Sequence, residues 1–354
     1  MLPVSVCIIA KNEEKQIERC LSSLIPYGFE IVLVDTGSTD HTKEIATKYT
    51  DKIYDFAWID DFSAARNFSL EKASHEWILM MDCDEWIEQI DVEELDYFRK
   101  NLSHAAGSVT RKNLTGTPEN LSSTIDITER FFSKHRFHYI GIIHEQLSPK
   151  YEKHFETFLL NTTIGHSGYL MTETQRQEKA KRNISLLERQ LSDNPDDTYT
   201  LYQLGKGYEM IPDLKQACYY FEKALHPGLD FSLAYTQALL ISYGEDLLET
   251  KQFSKALSLA DYNDSFQDSA DYFYLMGLIY FQNNLYENAL NSFETALSCT
   301  IVRRNGTNSF LSYYEIGVIL SMISEWEMAK NYFRQCENYP PALHALSVLE
   351  EHKL

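Results

Sequence analysis

Apolar runs alternate with helically spaced apolar residues through the first ninety residues. Four short runs, rich in β-branched residues, are bounded by polar turns, which is the pattern of buried strands. Between them apolar residues recur at the spacing of one helix face, as in Ile17, Leu21 and Leu24. This alternation predicts an α/β domain with a right-handed, mostly parallel sheet. The predicted strands are residues 4–9, 30–34, 52–56 and 77–81.

Beyond about residue 194 the pattern becomes an all-α repeat. A glycine and a phenylalanine recur at a fixed offset, and the four glycines lie 39, 33 and 40 residues apart. The offsets match the tetratricopeptide (TPR) pattern of roughly 34 residues, with insertions at two junctions. The pairs are Gly205 and Phe221, Gly277 and Phe293, and Gly317 and Phe333, with a weaker copy at Gly244 and Ala260.

These two patterns predict the domain organisation. We expect an α/β domain over residues 1–170, a linker helix over 171–194, and a TPR-like helical domain over 195–354. The concave face of such repeats commonly binds peptide. With four units the repeats can equally brace the first domain or form a homo-oligomer.

Two carboxylates follow the predicted strand 77–81. The ligand crevice of a parallel sheet lies outside the carboxyl ends of its strands, where Asp82 and Asp84 would stand. Side chains two apart in extended backbone point the same way, so both can face one ligand while Cys83 turns away. Such a pair suits a hard divalent cation whose shell is completed by phosphates and water. A solvated turn is the alternative.

Asp35 ends another predicted strand and opens the polar turn 35–40. A carboxylate in this place, beside a helix N-terminus, is suited to hydrogen-bond a ribose or a base. Ser38 and Thr39 are explained equally well as caps of the following helix.

Arg66 is a cation close in sequence to these acidic residues, on a helix predicted over residues 64–73. It is either a ligand of a phosphate group or a solvated helix arginine.

After residue 91 the alternation of strand and helix weakens. Residues 107–110, 125–133 and 159–164 have strand character. Residues 113–123 are rich in Gly, Pro, Asn, Ser and Thr, so they predict a mobile loop.

A group of imidazoles follows in the same part of the chain. His135 and His138 precede the pair His144-Glu145, and His166 follows the last strand-like segment. Histidines near a carboxylate pair are potential metal ligands or bases. Ordinary polar residues at strand ends are the alternative.

Charge excludes some classes of partner. The net charge of −20 is distributed evenly over the chain, with 17 Lys/Arg against 27 Asp/Glu in residues 1–170 and 15 against 25 in residues 171–354. Such a field repels nucleic acid and anionic lipid, so a phosphate-bearing substrate requires local cations or a metal. The six cysteines lack metal-type spacing and predict reduced core residues. Without a signal pattern or an apolar run of membrane-spanning length, the sequence predicts a cytoplasmic protein with no membrane span.

Three ordered segments carry a resemblance to a known family. The segments are residues 4–14, 34–40 and 81–85, each at the end of a predicted strand. In order and spacing they resemble the nucleotide-sugar-binding half of family 2 glycosyltransferases, which have the GT-A fold and are mostly inverting. The resemblance extends more loosely to about residue 170, through segments similar to those of members with a helical-repeat tail.

The resemblance implies roles for individual residues. Ala10, Asn12 and Glu13 would lie around the nucleotide, and Asp35 would contact its uracil-ribose portion. Many members have two acidic residues at this second segment, whereas here Asp35 is followed by Thr36.

The resemblance also implies a metal on the diphosphate. Asp82 would contact the ribose or the metal, and Asp84 would bind the divalent metal, Mn²⁺ or Mg²⁺. His144 or His166 is expected to add a further metal ligand, and Glu145 is expected to be the base that deprotonates the acceptor. The roles of His144 and Glu145 can be exchanged.

We therefore expect a metal-dependent, inverting glycosyltransferase that transfers a sugar from a nucleotide-sugar. A UDP-sugar is the expected donor. The acceptor would be a peptide or protein, or a saccharide or lipid-linked precursor. Two alternatives stay open from the sequence. One is a repeat scaffold with an inactive nucleotide-binding domain, and the other is a nucleotidyltransferase, which needs the same acidic metal site.

Overall fold

The computed structural model describes residues 2–117, 120–167, 173–226 and 228–351. Contacts divide the chain into an N-terminal unit, Met1–Gln190, and a C-terminal unit, Leu191–Leu354. The division falls inside one helix, and residues 171 and 172, where the predicted linker begins, lie outside the described residues. The borders at 170 and 194 stay a prediction.

The N-terminal unit is built on an eight-stranded sheet of order β3-β2-β1-β4-β7-β6-β10-β5, and a separate hairpin joins β8 and β9. All four strands predicted in the first ninety residues are present. The strands are β1 Val4–Ala10, β2 Glu30–Asp35, β3 Ile53–Asp55, β4 Trp77–Asp82, β5 Glu85–Gln89, β6 Ala106–Thr117, β7 Asn120–Ser133, β8 Phe137–Ile140, β9 Gln146–Pro149 and β10 Thr157–His166.

The sheet is mixed. Strand β1 runs parallel to β2 and β4, and β2 runs parallel to β3, as the alternation predicted. Beyond β4 the direction changes, since β7 is antiparallel to both β4 and β6, and β5 is antiparallel to β10. Strand β10 runs parallel to β6, so four of the seven pairings among the described strands of this sheet are parallel, and the three antiparallel ones make it mixed.

Both faces of β1 are buried. Val6 and Ile8 belong to one apolar cluster and Cys7, between them, to another on the opposite face, as a period of two requires. Strands buried on both sides need helices to cover them. The helices of this unit are α1 Ile17–Leu24, α2 Thr42–Ala46, α3 Phe62–Lys72, α4 Val92–Asn101 and α5 Glu173–Asp193.

The loop predicted over residues 113–123 is wrong for residues 113–117 and 120–123, which belong to strands, while residues 118 and 119 lie outside the described residues. Strands β6 and β7 form a long antiparallel hairpin in which Asn113 pairs with Thr124 and Thr117 with Asn120. Threonine favours strands, and the pairing of the two strands outweighs a turn-like composition. A register shift at Gly107/Ser108 inserts Arg130 as an extra residue of β7, which is a β-bulge.

Strand β10 passes very close to β5. Gly165 pairs with Trp86, and a Cβ atom built on Gly165 would lie 2.1 Å from the indole ring. Only glycine fits this close approach of backbone and ring. His166 follows directly and pairs with Glu85.

The C-terminal unit consists of consecutive packed helices. They are α6 Thr198–Met210, α7 Leu214–Ala224, α8 Ala234–Glu249, α9 Phe253–Ala256, α10 Ala270–Gln282, α11 Tyr286–Ser298, α12 Phe310–Met322, α13 Trp326–Gln335 and α14 Pro340–Glu351. A 3₁₀ helix, Leu257–Ser265, follows α9.

The predicted repeat has a direct physical basis in three helix pairs. A Cβ atom on Gly205 would lie 2.2 Å from the ring of Phe221, and one on Gly277 would lie 2.4 Å from the ring of Phe293. Gly317 and Phe333 repeat the contact at 2.6 Å. The ring of the second helix therefore packs on the bare backbone of the first.

The fourth, weaker copy departs from this geometry. Gly244 faces the leucine side chains Leu275 and Leu259, and Ala260 stands where the other copies have phenylalanine. Its second helix, α9, has only four residues before it becomes 3₁₀. The repeat is TPR-like in three pairs and irregular in one.

Two further predictions concern the whole chain. The six cysteines are buried and free, which confirms them as core residues. Within the described ranges, no helix has both the length and the apolar character needed to cross a bilayer.

Candidate active site

The carboxyl ends of the three central parallel strands meet at one edge of the sheet. Ala10 pairs with Asp35 across β1 and β2, and Ile9 pairs with Asp82 across β1 and β4. The segments that follow β1, β2 and β4 therefore lie at one edge of the sheet. Ligands bind at this edge in open α/β sheets.

Asp35 is 2% exposed and has one oxygen committed and one open. Its Oδ2 accepts hydrogen bonds from the backbone N–H groups of Gly37 (3.1 Å) and Ser38 (3.0 Å). Its Oδ1 is buried without a hydrogen-bond partner. Because buried polar atoms are normally paired, this oxygen points to a ligand with an N–H or O–H donor.

The loop after β1 is clamped to the turn after β2. The backbone N–H of Asn12 donates to Ser38 Oγ (2.9 Å), and Asn12 Oδ1 accepts from the N–H of Thr39 (2.8 Å). Ser38 and Thr39 are therefore not caps of α2, which begins at Thr42. The N-cap residue of α2 is His41, whose side chain makes no capping hydrogen bond, and Asp40 Oδ1 accepts from the N–H of Thr42 (3.0 Å) just before it.

Glu13 lies in an electronegative environment. Burial raises the pKa of Glu13 to about 7, and the charges of Asp84 and Asp40 act in the same direction. Burial is the main cause of this raised pKa, and the acidic neighbours add to it.

Asp82 is held between two buried arginines. Arg66 Nη2 donates to Asp82 Oδ1 (2.7 Å), and Arg130 Nη2 donates to Asp82 Oδ2 (3.0 Å). Arg130 Nη2 also donates to Glu85 Oε1 (2.6 Å), and Glu85 Oε2 accepts from the backbone N–H of Asp82. Burial alone would raise the pKa of Asp82, but the charges of the two arginines outweigh it and hold that pKa far below its ordinary value.

One of the two interpretations of Arg66 from the sequence is wrong, whereas its role as a phosphate ligand stays a prediction, since its buried Nη1 has no hydrogen-bond partner. The side chain is buried, so it is not a solvated helix arginine, and its guanidinium binds protein carboxylates. Its Nε donates to Glu145 Oε1, and its guanidinium lies 5.4 Å from the ring centre of Tyr139. The candidate base Glu145 and the candidate ligand Asp82 are therefore joined through one arginine.

The side chains of Asp84 and His166 lie in contact with each other. Asp84 Oδ2 and His166 Nε2 are 3.3 Å apart, with side chains 26% and 12% exposed. Two ligands of one cation at 2.0–2.2 Å would be separated by about 3 Å, so this donor pair fits a divalent metal. Cys83 turns away as predicted, and its Sγ contacts the carbonyl oxygen of Ile9 in the core.

The four predicted metal ligands do not form one cluster. Across the described residues, no group of three or more His, Cys, Asp or Glu side chains has a metal-binding arrangement. Asp82 is committed to Arg66 and Arg130. The pair Asp84 and His166 leaves the remaining positions of a metal shell to substrate oxygens and water.

His144 has a left-handed backbone, with φ of 50°, beside Glu145. Partial desolvation lowers the pKa of its imidazole, although Glu145 acts in the opposite direction. A neutral imidazole at neutral pH is therefore favoured at this position.

His135 and His138 belong elsewhere. They line a cavity of about 460 Å³ together with Asn67, Lys134 and Lys150. The imidazoles that are close in sequence therefore separate in the structure.

Four residues of this region were not predicted from the sequence: three lead to His166, and one, Arg130, binds Asp82 and Glu85. Arg111 Nε and Nη2 donate to Asp126 (2.9 and 2.8 Å), Asn113 Nδ2 donates to Asp126 Oδ2 (3.1 Å), and Asn113 Oδ1 lies 2.7 Å from His166 Nδ1. Charged and amide side chains at alternate strand positions were the available signal, and interpreting 113–123 as a loop concealed it.

Comparison with known proteins places the N-terminal unit in a family. The model of glycosyl transferase family 2 matches residues 5–165. A TPR repeat-containing protein of Synechococcus elongatus is 30% identical over 307 residues, which cover 81% of this chain and 72% of that protein. The chain carries a glycosyl transferase family 2 domain at its N-terminus and is a glycosyltransferase with a TPR-like helical region.

Two further similarities complete the comparison. The SPbeta prophage-derived glycosyltransferase SunS of Bacillus subtilis is 29% identical over 229 residues, which cover 63% of this chain and about half, 54%, of SunS. Among solved structures, the crystal structure of MamA covers 52% of this chain and 99% of its own, with a TM-score of 0.39 and 20% identity.

Proposed function

We propose that this glycosyltransferase is metal-dependent and inverting, and that it transfers a sugar from a UDP-sugar to a peptide or glycan acceptor. The observation that carries the proposal is the pair Asp84 Oδ2 and His166 Nε2, 3.3 Å apart at the edge of the sheet where Asp35 keeps a buried oxygen unpaired.

Asp35 and the clamped loop would hold the nucleotide. Uracil offers one ring N–H between two carbonyl groups, which suits the open Oδ1 of Asp35. Ala10, Asn12 and Glu13 line the same edge, and the bonds from Asn12 to the turn 36–40 keep its shape without ligand. Preorganisation of this kind lowers the entropy that binding must overcome.

Asp84 and His166 would hold the metal. When bound there, a divalent cation neutralises the charge that develops on the departing diphosphate. Mn²⁺ suits this set of one carboxylate and one imidazole better than Mg²⁺, which prefers oxygen ligands. Asp82, the candidate for a ribose contact, would act mainly as the counter-ion of Arg66 and Arg130.

Glu145 would be the base. Inverting transfer requires a group that takes a proton from the acceptor on the face opposite the leaving diphosphate. Arg66 holds the Glu145 carboxylate in a fixed position, because its Nε donates a hydrogen bond to Glu145 Oε1. His144, whose pKa is lowered, is the neutral alternative for the same step.

We favour a peptide or protein as the acceptor. The support is the TPR-like region, because stacked helical repeats present extended surfaces that commonly bind polypeptide. A saccharide or lipid-linked acceptor requires no such surface.

The test is a donor assay with the full chain. We expect release of UDP from one member of a panel of UDP-sugars with Mn²⁺, and loss of release with EDTA. The anomeric configuration of the product, measured by NMR, should be opposite to that of the donor. Release of pyrophosphate in place of UDP would instead indicate a nucleotidyltransferase, and retention of configuration would overturn the inverting mechanism.

A further inference from the structure

A chain of three side chains ends on the imidazole of His166. It begins at Arg111, passes through Asp126 and Asn113, and each link is a hydrogen bond between side chains. Asn113 is 3% exposed, so its amide is enclosed by these neighbours. The proposed function gives none of the three a role.

The first link fixes a charged acceptor. Arg111 binds Asp126 through two nitrogens, at 2.9 and 2.8 Å. Burial would raise the pKa of Asp126, but the hydrogen bond and charge of Arg111 outweigh it and hold that pKa below its ordinary value. The ionised Asp126 carboxylate can only accept hydrogen bonds.

The second link fixes the orientation of an amide. Because Asp126 Oδ2 only accepts, the group of Asn113 at 3.1 Å from it must be the donor, the NH₂. The amide oxygen of Asn113 then faces His166 Nδ1 at 2.7 Å. Rotating the amide by half a turn would bring two acceptors, Asn113 Oδ1 and Asp126 Oδ2, into contact.

The third link fixes the tautomer of His166. An amide oxygen only accepts, so Nδ1 must carry a hydrogen. In the neutral imidazole Nε2 then carries a lone pair. This lone pair lies 3.3 Å from Asp84 Oδ2, so either a proton on Nε2 or a metal cation lies between the two atoms, and the metal takes the place of that proton when it binds.

We propose that Asn113 is a positioning residue that fixes the tautomer of His166 and thereby sets the cation affinity of the Asp84–His166 pair. The inference rests on the proposed function, because it assumes that this pair holds the metal. According to this proposal, the cation affinity depends on Arg111 and Asn113 of β6 and Asp126 of β7, which do not contact the metal themselves. Outer partners of this kind are worth about 10–100-fold in metal affinity.

The test measures metal binding, not turnover. Electron paramagnetic resonance of free Mn²⁺ gives the Mn²⁺ affinity of the full chain in the presence of UDP. Asn113→Leu, close in size and without an acceptor, should weaken Mn²⁺ binding by about 10–100-fold. The affinity for UDP without metal should stay unchanged, which a general loss of structure would not allow.

A second variant covers the case in which Asn113→Leu does not fold. Asp126→Asn lies at a half-exposed side chain and keeps the size, but it lets the Asn113 amide turn and present its NH₂ to His166. It should weaken Mn²⁺ binding in the same direction. The matched control is Asn161→Leu, an exposed asparagine on β10 that binds Gln89, and it should leave Mn²⁺ affinity unchanged.

The outcomes separate the two proposals. Wild-type affinity for Mn²⁺ in both Asn113→Leu and Asp126→Asn would overturn the role of Asn113 and leave the metal-dependent transferase standing. Absence of Mn²⁺ binding by the wild-type chain with UDP would overturn the metal dependence, and the role of Asn113 with it.

Discussion

The two units of this protein are specified in different ways. The N-terminal unit positions its site through a network of unlike charges in which Arg66, Asp82, Arg130 and Glu85 each have their own partners. The C-terminal unit repeats one contact, a glycine under a phenylalanine ring, in three helix pairs. The network makes the chemistry sensitive to single charges, whereas the repeat makes the stability of the helical unit sensitive to single methyl groups.

The largest expected effect is on stability, at Asp82. Asp82→Asn leaves two buried arginines with one carboxylate each, Glu145 and Glu85, where two were present. Breaking a buried ion pair costs about 3–5 kcal/mol, and the remaining partners favour the low end, about 3 kcal/mol. Denaturant unfolding of the purified variant measures the loss. A stability equal to that of wild type would show that the arginine network does not organise the site.

Asp84 should behave in the opposite way to Asp82. Asp84→Asn should reduce kcat by at least roughly 100-fold, because it removes a group that holds charge stabilisation at the diphosphate. Its unfolding free energy should stay close to that of wild type, since the side chain is partly exposed beside His166. Steady-state UDP release gives kcat, and Asp96→Asn on α4 serves as the control. Turnover at the wild-type rate would remove Asp84 from the mechanism.

The helical unit should lose stability without losing chemistry. Gly277→Ala places a methyl group 2.4 Å from the Phe293 ring, and overpacking of this kind costs about 1–3 kcal/mol. Gly244→Ala is the matched variant in the irregular copy. It meets the flexible end of Leu275, so a smaller loss is expected. Thermal unfolding compares the two, and equal losses would mean that the phenylalanine contact has no special weight.

The smallest expected effect depends on pH. Burial raises the pKa of Asp246 to about 7, and nearby Glu209 acts in the same direction. The folded state therefore holds a proton that the unfolded state loses near pH 4, and stability falls as pH rises from about 4 to 7. Asp246→Asn should remove this loss.

The measurement is Tm at pH 5 and at pH 8. The variant should gain more at pH 8 than at pH 5, by about 2–4 °C for each kcal/mol recovered. A gain of the same size at both pH values would show that Asp246 does not titrate in this range. Glu315→Gln, at a carboxyl group whose pKa burial also raises to about 7, provides a second case on α12.

The same contrast explains what the sequence alone could predict. Strands β1 to β4 and the glycine–phenylalanine repeat follow from local periodicity, and both were found. Asp35 and Asp84 could be proposed as site residues because strand ends are visible in a sequence. The partners of Asp82 were not, because Arg66 and Arg130 are 16 and 48 positions away, and long-range pairing leaves no local pattern.

The error at residues 113–123 has the same origin. Composition favoured a loop, and only the pairing of β6 with β7 and β10 shows that Asn113 lies beside Asp126 and His166. The bulge that inserts Arg130 into β7 is equally hidden, since an extra residue in a ladder is defined by the opposite strand.

Gly165 on β10 makes the position of His166 depend on the packing of β10 against Trp86 of the neighbouring strand β5. The indole of Trp86 occupies the volume that a side chain at this position would need, so a single added methyl group would drive the two strands apart. The imidazole one residue later would move with the backbone and away from its acidic neighbour. A substitution of Gly165 would therefore reduce the activity although it changes no charge and contacts no ligand. Mutagenesis restricted to polar residues would not detect this effect.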